Sequence, residues 1–313
     1  MQLLRPLAGG EAAIVTELGG SALLDVAEAH VADLGGGLKV KRALPHAKRR
    51  SVGPFVFLDH FGPHRFPPLG GMDVRPHPHI GLATITWLFT GAVMHRDSLG
   101  CVQRIEPGEV NWMTAGGGIV HSERTPMDLR PQGSEVHGLQ FWVGLPLEHE
   151  EVEPSFQHVG KADLAQVSMG DARGTLVVGS TLGAISPVRV YSPLVLAVFT
   201  LAAGGTAAIP SVAPERAIYI VSGQLSVAGA SASSEVFGSG SLVLLREGVE
   251  ARIRAHDALS FALIGGTPIG PRMLYWNFVS SGRERIERAK ADWASGRFPP
   301  VPGETEFIPL PER

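Results

Sequence analysis

The amino-acid sequence predicts an all-β protein, and three observations carry the prediction. The 313 residues include 39 glycines and 24 prolines. Between them run short segments rich in Val, Ile, Leu and Thr, of strand length and bounded by turn formers. Helical spacing shows in one place, close to the end. The most apolar stretch, Leu194 to Ile209, is cut by Thr200, Gly204-Gly205 and Thr206, so it reads as strand, turn and strand and not as a membrane span. A chain of this length buries a large core, and ordinary domain size argues for two domains.

The elements follow in order. Residues 1 to 30 form an Ala/Leu/Gly-rich leader without an assigned place, and Glu11 and Glu17 interrupt any secretory signal. Strands are expected at Leu38–Ala43 and Gly53–Leu58, and the basic cluster from Lys39 to Arg50 reads as a solvated strand edge. Leu82 to Thr90 is a strong strand, closed by Thr90-Gly91 and answered by Ala92 to Arg96 as a hairpin. Pro107-Gly108 opens the next pair. Val110–Thr114 runs into the Gly116-Gly117-Gly118 turn, a tight turn expected to pass close to the site, and Ile119–Arg124 leaves it. His137–Val143 alternates, with Leu139, Phe141 and Val143 on one face. The acidic stretch Glu148 to Gln157 then covers the side of the first domain. A second strand-rich block runs from about Leu176 to Ile264, with Ile218–Val227 as its clearest hairpin. Ile286, Ala289 and Trp293 recur at helical spacing within Gly282–Ala294, with Ser281 as the expected cap. A Pro-rich strap from Pro299 to Pro311 ends the pattern.

Chemistry concentrates at two places. His77 and His79 stand two positions apart in a β-branched, apolar setting, and His121 and Glu123 repeat the spacing. Residues i and i+2 of a strand share a face, here toward the side that Ile85, Trp87 and Phe89 are expected to enclose. Three imidazoles and a carboxylate are costly to bury unpaired, and a first-row metal ion pairs all four. Fe(II), Mn, Co, Ni, Cu and Zn all suit such a set, and affinity order alone favours copper. The competing reading makes His77 and His79 surface histidines of an edge strand. His95 is expected exposed on its hairpin. His60 and His64 belong to a Pro/Gly-rich loop, at the site entrance or plain. Gln140 either holds a ligand imidazole or points outward, and Trp112 is core.

Other features exclude function classes. The net charge of −3 and pI near 6.5 provide no field for nucleic acid. Cys101 is alone, so a disulfide framework is absent and a reducing, cytoplasmic setting is expected. No glycine-rich loop follows a strand and opens a helix, as a nucleotide site requires.

The spacing Gly71-x5-His77-x-His79, with eleven residues between His79 and Gly91, resembles the first metal motif of cupin barrels, except that Thr84 stands where a typical cupin has a glutamate ligand. Glu123 in the second motif supplies a carboxylate instead. That exchange resembles the pirin family, as do Gly53-Pro-Phe, Leu58–Pro63, Trp112–Gly116, Gly118–Glu123, Gly138–Trp142 and the stretch from Gly270-Pro to Asn277-Phe278. The resemblance spans roughly residues 31 to 295. It implies a bicupin, two antiparallel β-barrels facing each other. The expected divisions are a leader (1–30), an N-terminal barrel with the metal site (31–160), a C-terminal barrel (161–280), and a helix with a Pro-rich tail (281–313). The second barrel is expected to be metal-free, since Val188 to Ile264 has no His-x-His and His256 stands alone beside Asp257.

The resemblance also implies an iron site ligated by His77, His79, His121 and Glu123. It implies a quercetin 2,3-dioxygenase-like cleavage of a flavonol or a similar enolisable aromatic with O2, with Glu123 as the catalytic base. The alternative it carries is a non-enzymatic iron protein that senses redox state and binds a transcription factor or metabolic enzyme. A monomer is expected, with no direct nucleic-acid or membrane partner.

Overall fold

The structure, a computed structural model, describes residues 21–33, 38–228 and 235–311. Strand makes up 52% of it and helix 7%, which bears out the all-β expectation. Each half pairs a large antiparallel sheet with a small one, as a sandwich and not a closed barrel. In the first half the large sheet orders its strands Ser155–Val159, Val110–Thr114, Leu82–Thr90, Ser134–Gly144, Phe55–Phe66, Lys39–Leu44, His30–Asp33. Its small sheet runs Asp73–His79, Ile119–Arg124, Val93–Asp97, Val102–Ile105. In the second half Ser241–Leu245, Glu215–Ser222, Leu259–Gly266 and Leu194–Leu201 are central to the large sheet, and Thr206–Ile209, Ala251–Ala255, Leu225–Val227 and Val236–Phe237 form the small one.

The two large sheets face each other across the main core. Alternation along the strands decides which side chains go there: Ile85 and Trp87, Leu139, Phe141 and Val143, and Leu58 from the first half meet Leu196, Tyr219, Leu244 and Ile264 from the second. Each such buried aliphatic contributes about 1.5–3 kcal/mol. The intervening residues Thr86, Gln140 and Asp59 turn the other way, into the first sandwich. The His77/His79 pair is therefore enclosed by that polar face, and Ile85, Trp87 and Phe89 lie on the opposite side of their sheet, against the second half.

Both hairpins expected from tight turns are corners. Leu82–Thr90 pairs with Val110–Thr114 and Ser134–Gly144, while Val93–Asp97 pairs with Ile119–Arg124 and Val102–Ile105. Glu215–Ser222 and Leu225–Val227 likewise belong to different sheets. The chain reverses but crosses from the large sheet to the small one. Gly91 and Gly223, both at φ 83°, make these crossings. A β-carbon there would collide with the carbonyl oxygens of Glu135 and Ala258, so glycine is required by space as well as by φ.

The chain before the first expected strand laces the halves together. Residues 1–20 of the leader lie outside the described residues. Leu23–Glu28 pairs with Ser241–Leu245 of the second large sheet, and His30–Asp33 pairs with Lys39–Leu44 of the first. The acidic stretch ends in Ser155–Val159, which adds to the first sheet's edge. The Gly116–Gly118 turn meets Val152 and Phe298 and not the metal site.

The helix Arg283–Ala294 buries Ile286 and Ala289 against Ile80 and Phe278. Its N-cap is Gly282, without a side-chain cap. Ser281, the expected cap, instead donates its N–H and hydroxyl to the Glu150 carboxylate at 2.9 and 2.7 Å. The Pro-rich tail returns along the first half, where the Ile308 N–H donates to Pro76 O at 2.8 Å. Among the described residues no helix is long and apolar enough to cross a membrane.

Candidate metal centre

Two neighbouring strands of the first small sheet bring the histidines together. Ile119–Arg124 is central and antiparallel to Asp73–His79, with His121 opposite His77 and Ile119 opposite His79. His77, His79 and His121 are buried, and one ring nitrogen of each lies within 4.8 Å of one from both others. Two backbone carbonyls settle which nitrogens those are. The Nδ1–H of His77 donates to Arg75 O at 2.9 Å, and that of His79 to Asn277 O at 3.2 Å. Each ring is then left with its Nε2 lone pair, as a metal-ligating imidazole held by an outer partner is. His121 Nε2 is buried with no partner at all.

Burial also keeps these rings neutral. It holds His77 down to about 4, and His79 and His121 well below the usual imidazole range, with the charges of neighbouring rings acting in the same direction. An orphaned, buried nitrogen beside two neutral imidazoles fits a first-row metal ion.

Glu123 is not part of that three-nitrogen cluster; its carboxylate lines the same cavity. The pairing of the two strands is irregular between His121 and Glu123, so that Glu123 sits opposite Val74 and the simple two-residue alternation is locally rotated. Burial raises its pKa, partly opposed by His95 and by the hydroxyl of Thr86. Thr86 Oγ1 stands 3.2 Å from Glu123 Oε1 and 3.1 Å from Gln140 Oε1. Its single proton serves one of them at a time. Gln140 therefore points inward but bonds Thr86 rather than a ligand imidazole.

The rings open on a cavity of about 1120 Å³. One wall is a stack: the Arg42 guanidinium lies 4.6 Å over Phe57, which lies 3.9 Å from Trp142, whose edge meets His79. Arg42, read from sequence as part of a solvated edge, faces inward and grips Asp59 with bonds of 2.8 and 2.7 Å. Another part of the lining comes from distant chain: Trp276 and Asn277 of the turn between Met273–Tyr275 and Phe278–Ser280, and Glu306 and Ile308 of the tail. Glu304 holds that tail, accepting from Ser122 Oγ at 2.9 Å and pairing with Arg124 at 2.7 Å.

The pirin family model matches residues 37–143, and the model of the pirin C-terminal cupin domain matches residues 196–299. The chain belongs to the pirin family. A pirin-like protein of Caulobacter vibrioides is 48% identical over 284 residues, covering 88% of this chain and 96% of that one. A Pseudomonas aeruginosa protein with a provisional quercetin 2,3-dioxygenase name is 38% identical over 278 residues, covering 88% and 84%. A crystal structure titled quercetin 2,3-dioxygenase, from Acinetobacter baumannii, superposes with a TM-score of 0.82 at 35% identity, covering 93% of this chain and 97% of that one.

Three other histidine readings change in this pirin family member. His95 is buried, not exposed on a hairpin, because Val93–Asp97 is an inner strand of the small sheet and Phe156 stacks on the ring at 4.4 Å. Its Nε2 lies 3.0 Å from Asp97 Oδ2 and its Nδ1 3.4 Å from His121 Nδ1. The signal was present, since His95 and Asp97 repeat the two-residue spacing of both ligand pairs. His60 and His64 lie within the strand Phe55–Phe66. His60 points away from the site into the contact between halves, bonding Tyr219 OH at 3.0 Å and His137 Nε2 at 2.8 Å. Trp112 is core, its Nε1–H donating to Thr114 Oγ1 at 2.9 Å. Cys101 is half-buried and free, its thiol pushed up by burial.

Proposed function

We propose that this chain is a metal-dependent dioxygenase that opens the central ring of a flavonol or a similar enolisable aromatic, in the manner of a quercetin 2,3-dioxygenase. The observation that carries the reading is a set of three neutral, buried imidazoles with free nitrogens opening on a cavity with ample room for a flavonol and an aromatic wall. Likeness to the Acinetobacter structure supports it. His77, His79 and His121 would hold the ion, with Glu123 as the fourth ligand, and Fe(II) is the metal we assign. When bound, such an ion acidifies the substrate hydroxyl as a Lewis acid and provides a position for O2.

The protein's own residues do the rest. Glu123, its pKa raised by burial, is the base for the 3-hydroxyl proton. Once protonated it can donate to Thr86 Oγ1, whose own proton turns to Gln140 Oε1. The new proton thus has a place without opening the site to water. Phe57 and Trp142 stack the planar substrate and exclude solvent, and the Arg42–Asp59 pair offers polar contacts to its hydroxyls.

Aerobic loss of quercetin absorbance with matching O2 uptake tests the reading, using protein reconstituted with Fe(II) beside His121→Ala. Turnover by the first and its absence in the second is the expected result. No turnover from fully loaded protein overturns it in favour of a redox-sensing regulator. One observation favours that second reading: Ser122 and Arg124 alternate with His121 and Glu123 and hold the tail through Glu304, so a shift of the ligands is one residue from the surface.

A further inference from the structure

Behind His121 lies a chain of polar groups that neither the proton path nor the substrate wall uses. Asp97 is fully buried and anchored at one oxygen: the N–H groups of Leu99 and Cys101 donate to its Oδ1 at 2.9 and 3.1 Å. Its Oδ2 faces His95 Nε2 at 3.0 Å, and His95 Nδ1 faces His121 Nδ1 at 3.4 Å. A carboxylate only accepts. A neutral His95 ring therefore carries its proton on Nε2, which leaves its Nδ1 as an acceptor. The contact between the two Nδ1 atoms then requires the proton to sit on His121. The lone pair of His121 falls on Nε2, the nitrogen that is buried without a partner.

We propose that Asp97, acting through His95, is a positioning residue that fixes the His121 tautomer and strengthens its Nε2 as a donor to a bound metal ion. His77 and His79 lean on neutral carbonyls; His121 alone of the three is backed by a carboxylate, relayed through a second ring. A carboxylate behind an imidazole raises its basicity, which favours a ferric over a ferrous ion. The inference rests on the metal-centre reading, not on flavonol cleavage.

The anchoring makes the test selective. In Asp97→Asn the Leu99 and Cys101 N–H groups still demand an acceptor, so the amide oxygen stays with them and the NH2 turns toward His95. Both rings are then driven to the opposite tautomer, with the His121 proton on Nε2. His95→Phe keeps the stacking on Phe156 but accepts nothing. His95→Gln can still receive the His121 proton on its carbonyl and donate to Asp97.

Zinc(II) affinity by chelator competition should fall about 10–100-fold in Asp97→Asn and His95→Phe, the usual cost of losing an outer partner, and stay within a few-fold in His95→Gln. In iron-loaded protein, Asp97→Asn should lower the ferric-to-ferrous affinity ratio about tenfold, about 59 mV more positive for a one-electron couple. Nitrogen-15 NMR of metal-free wild type should show the His121 proton on Nδ1. Unchanged zinc affinity and iron potential in folded Asp97→Asn, or a proton on Nε2 in the wild type, overturns the proposal. If Asp97→Asn does not fold, the Phe and Gln variants at His95 decide it. Failure of the wild type to bind zinc or iron removes the metal-centre reading itself, while the NMR result still judges the relay.

Discussion

The two halves share one plan and differ in what they put inside it. Both small sheets follow the same strand order, so that Asp73–His79 corresponds to Thr206–Ile209, Ile119–Arg124 to Ala251–Ala255, and Val93–Asp97 to Leu225–Val227. Where the first half turns His77, His79, His121 and His95 inward, the second buries Ala207, Ile209, Ile253, Leu225 and Val227. Its opposing sheet adds Ile218, Ile220 and the stacked rings of Phe199 and Phe261, 5.3 Å apart. The first half opposes its histidines with Thr86, Gln140 and Asp59 and keeps a cavity of about 1120 Å³. Packing density is given up in one sandwich for chemistry, and the filled sandwich and the contact between large sheets supply the stability.

That contrast is broken most directly by truncation. Phe261→Ala in the filled half should cost about 3–5 kcal/mol, as large-to-small changes in close-packed cores do. Gln140→Leu, facing the cavity, should cost only about 1 kcal/mol, a single lost hydrogen bond. Urea unfolding of both variants checks it. Equal losses would mean that the first interior is as tightly packed as the second.

Much of the difference was legible in the sequence, because spacing of two marks a shared face wherever a strand exists. His77, His79 and His121 followed from it, as did the run of Leu139, Phe141 and Val143. What spacing does not carry is the partner of a strand. Gly91-Ala92 and Gly223-Gln224 reverse the chain as hairpin turns would, yet whether the next strand pairs with the last or crosses to the facing sheet depends on contacts far away in sequence. His95 departs from its expected exposure for the same reason: its burial is made by Phe156, on an edge strand added later in the chain. His60 reads as loop from the sequence because Gly62 and Pro63 follow it, yet pairing with Ser134–Gly144 carries the strand through them.

Acid should find the contact between halves before it finds the second core. Burial, with the charges of His137 and Lys41, lowers His60 to about 3, while in the unfolded chain it titrates near 6.5. Above that value both states are neutral and His60 adds no pH dependence. Between about 6.5 and 3 the unfolded chain binds a proton that the folded one refuses, so stability falls as pH falls. For this group alone the loss from pH 6.5 to 5 is about 1.6 kcal/mol. Metal-free His60→Phe should show a shallower dependence than metal-free wild type, by about one proton, in unfolding measured across that range. An identical slope would place the acid-sensitive group elsewhere.

The smallest effect expected is also the most local test of how the halves are joined. Tyr219 comes from the second large sheet and its hydroxyl meets His60 of the first at 3.0 Å, among side chains that are otherwise apolar. Burial raises the tyrosine's pKa, so its hydroxyl stays a neutral partner across the neutral and acid range. Tyr219→Phe keeps the ring in its packing and removes one polar link, while His60 keeps its contact to His137 at 2.8 Å. The cost should be about 1 kcal/mol, with metal content unchanged, because the bond lies on the face of the sheet turned away from the three histidines. A loss of bound metal in this variant would mean that the contact between the halves shapes the site through the strand Phe55–Phe66, whose other face carries Phe57 and Asp59 into the cavity.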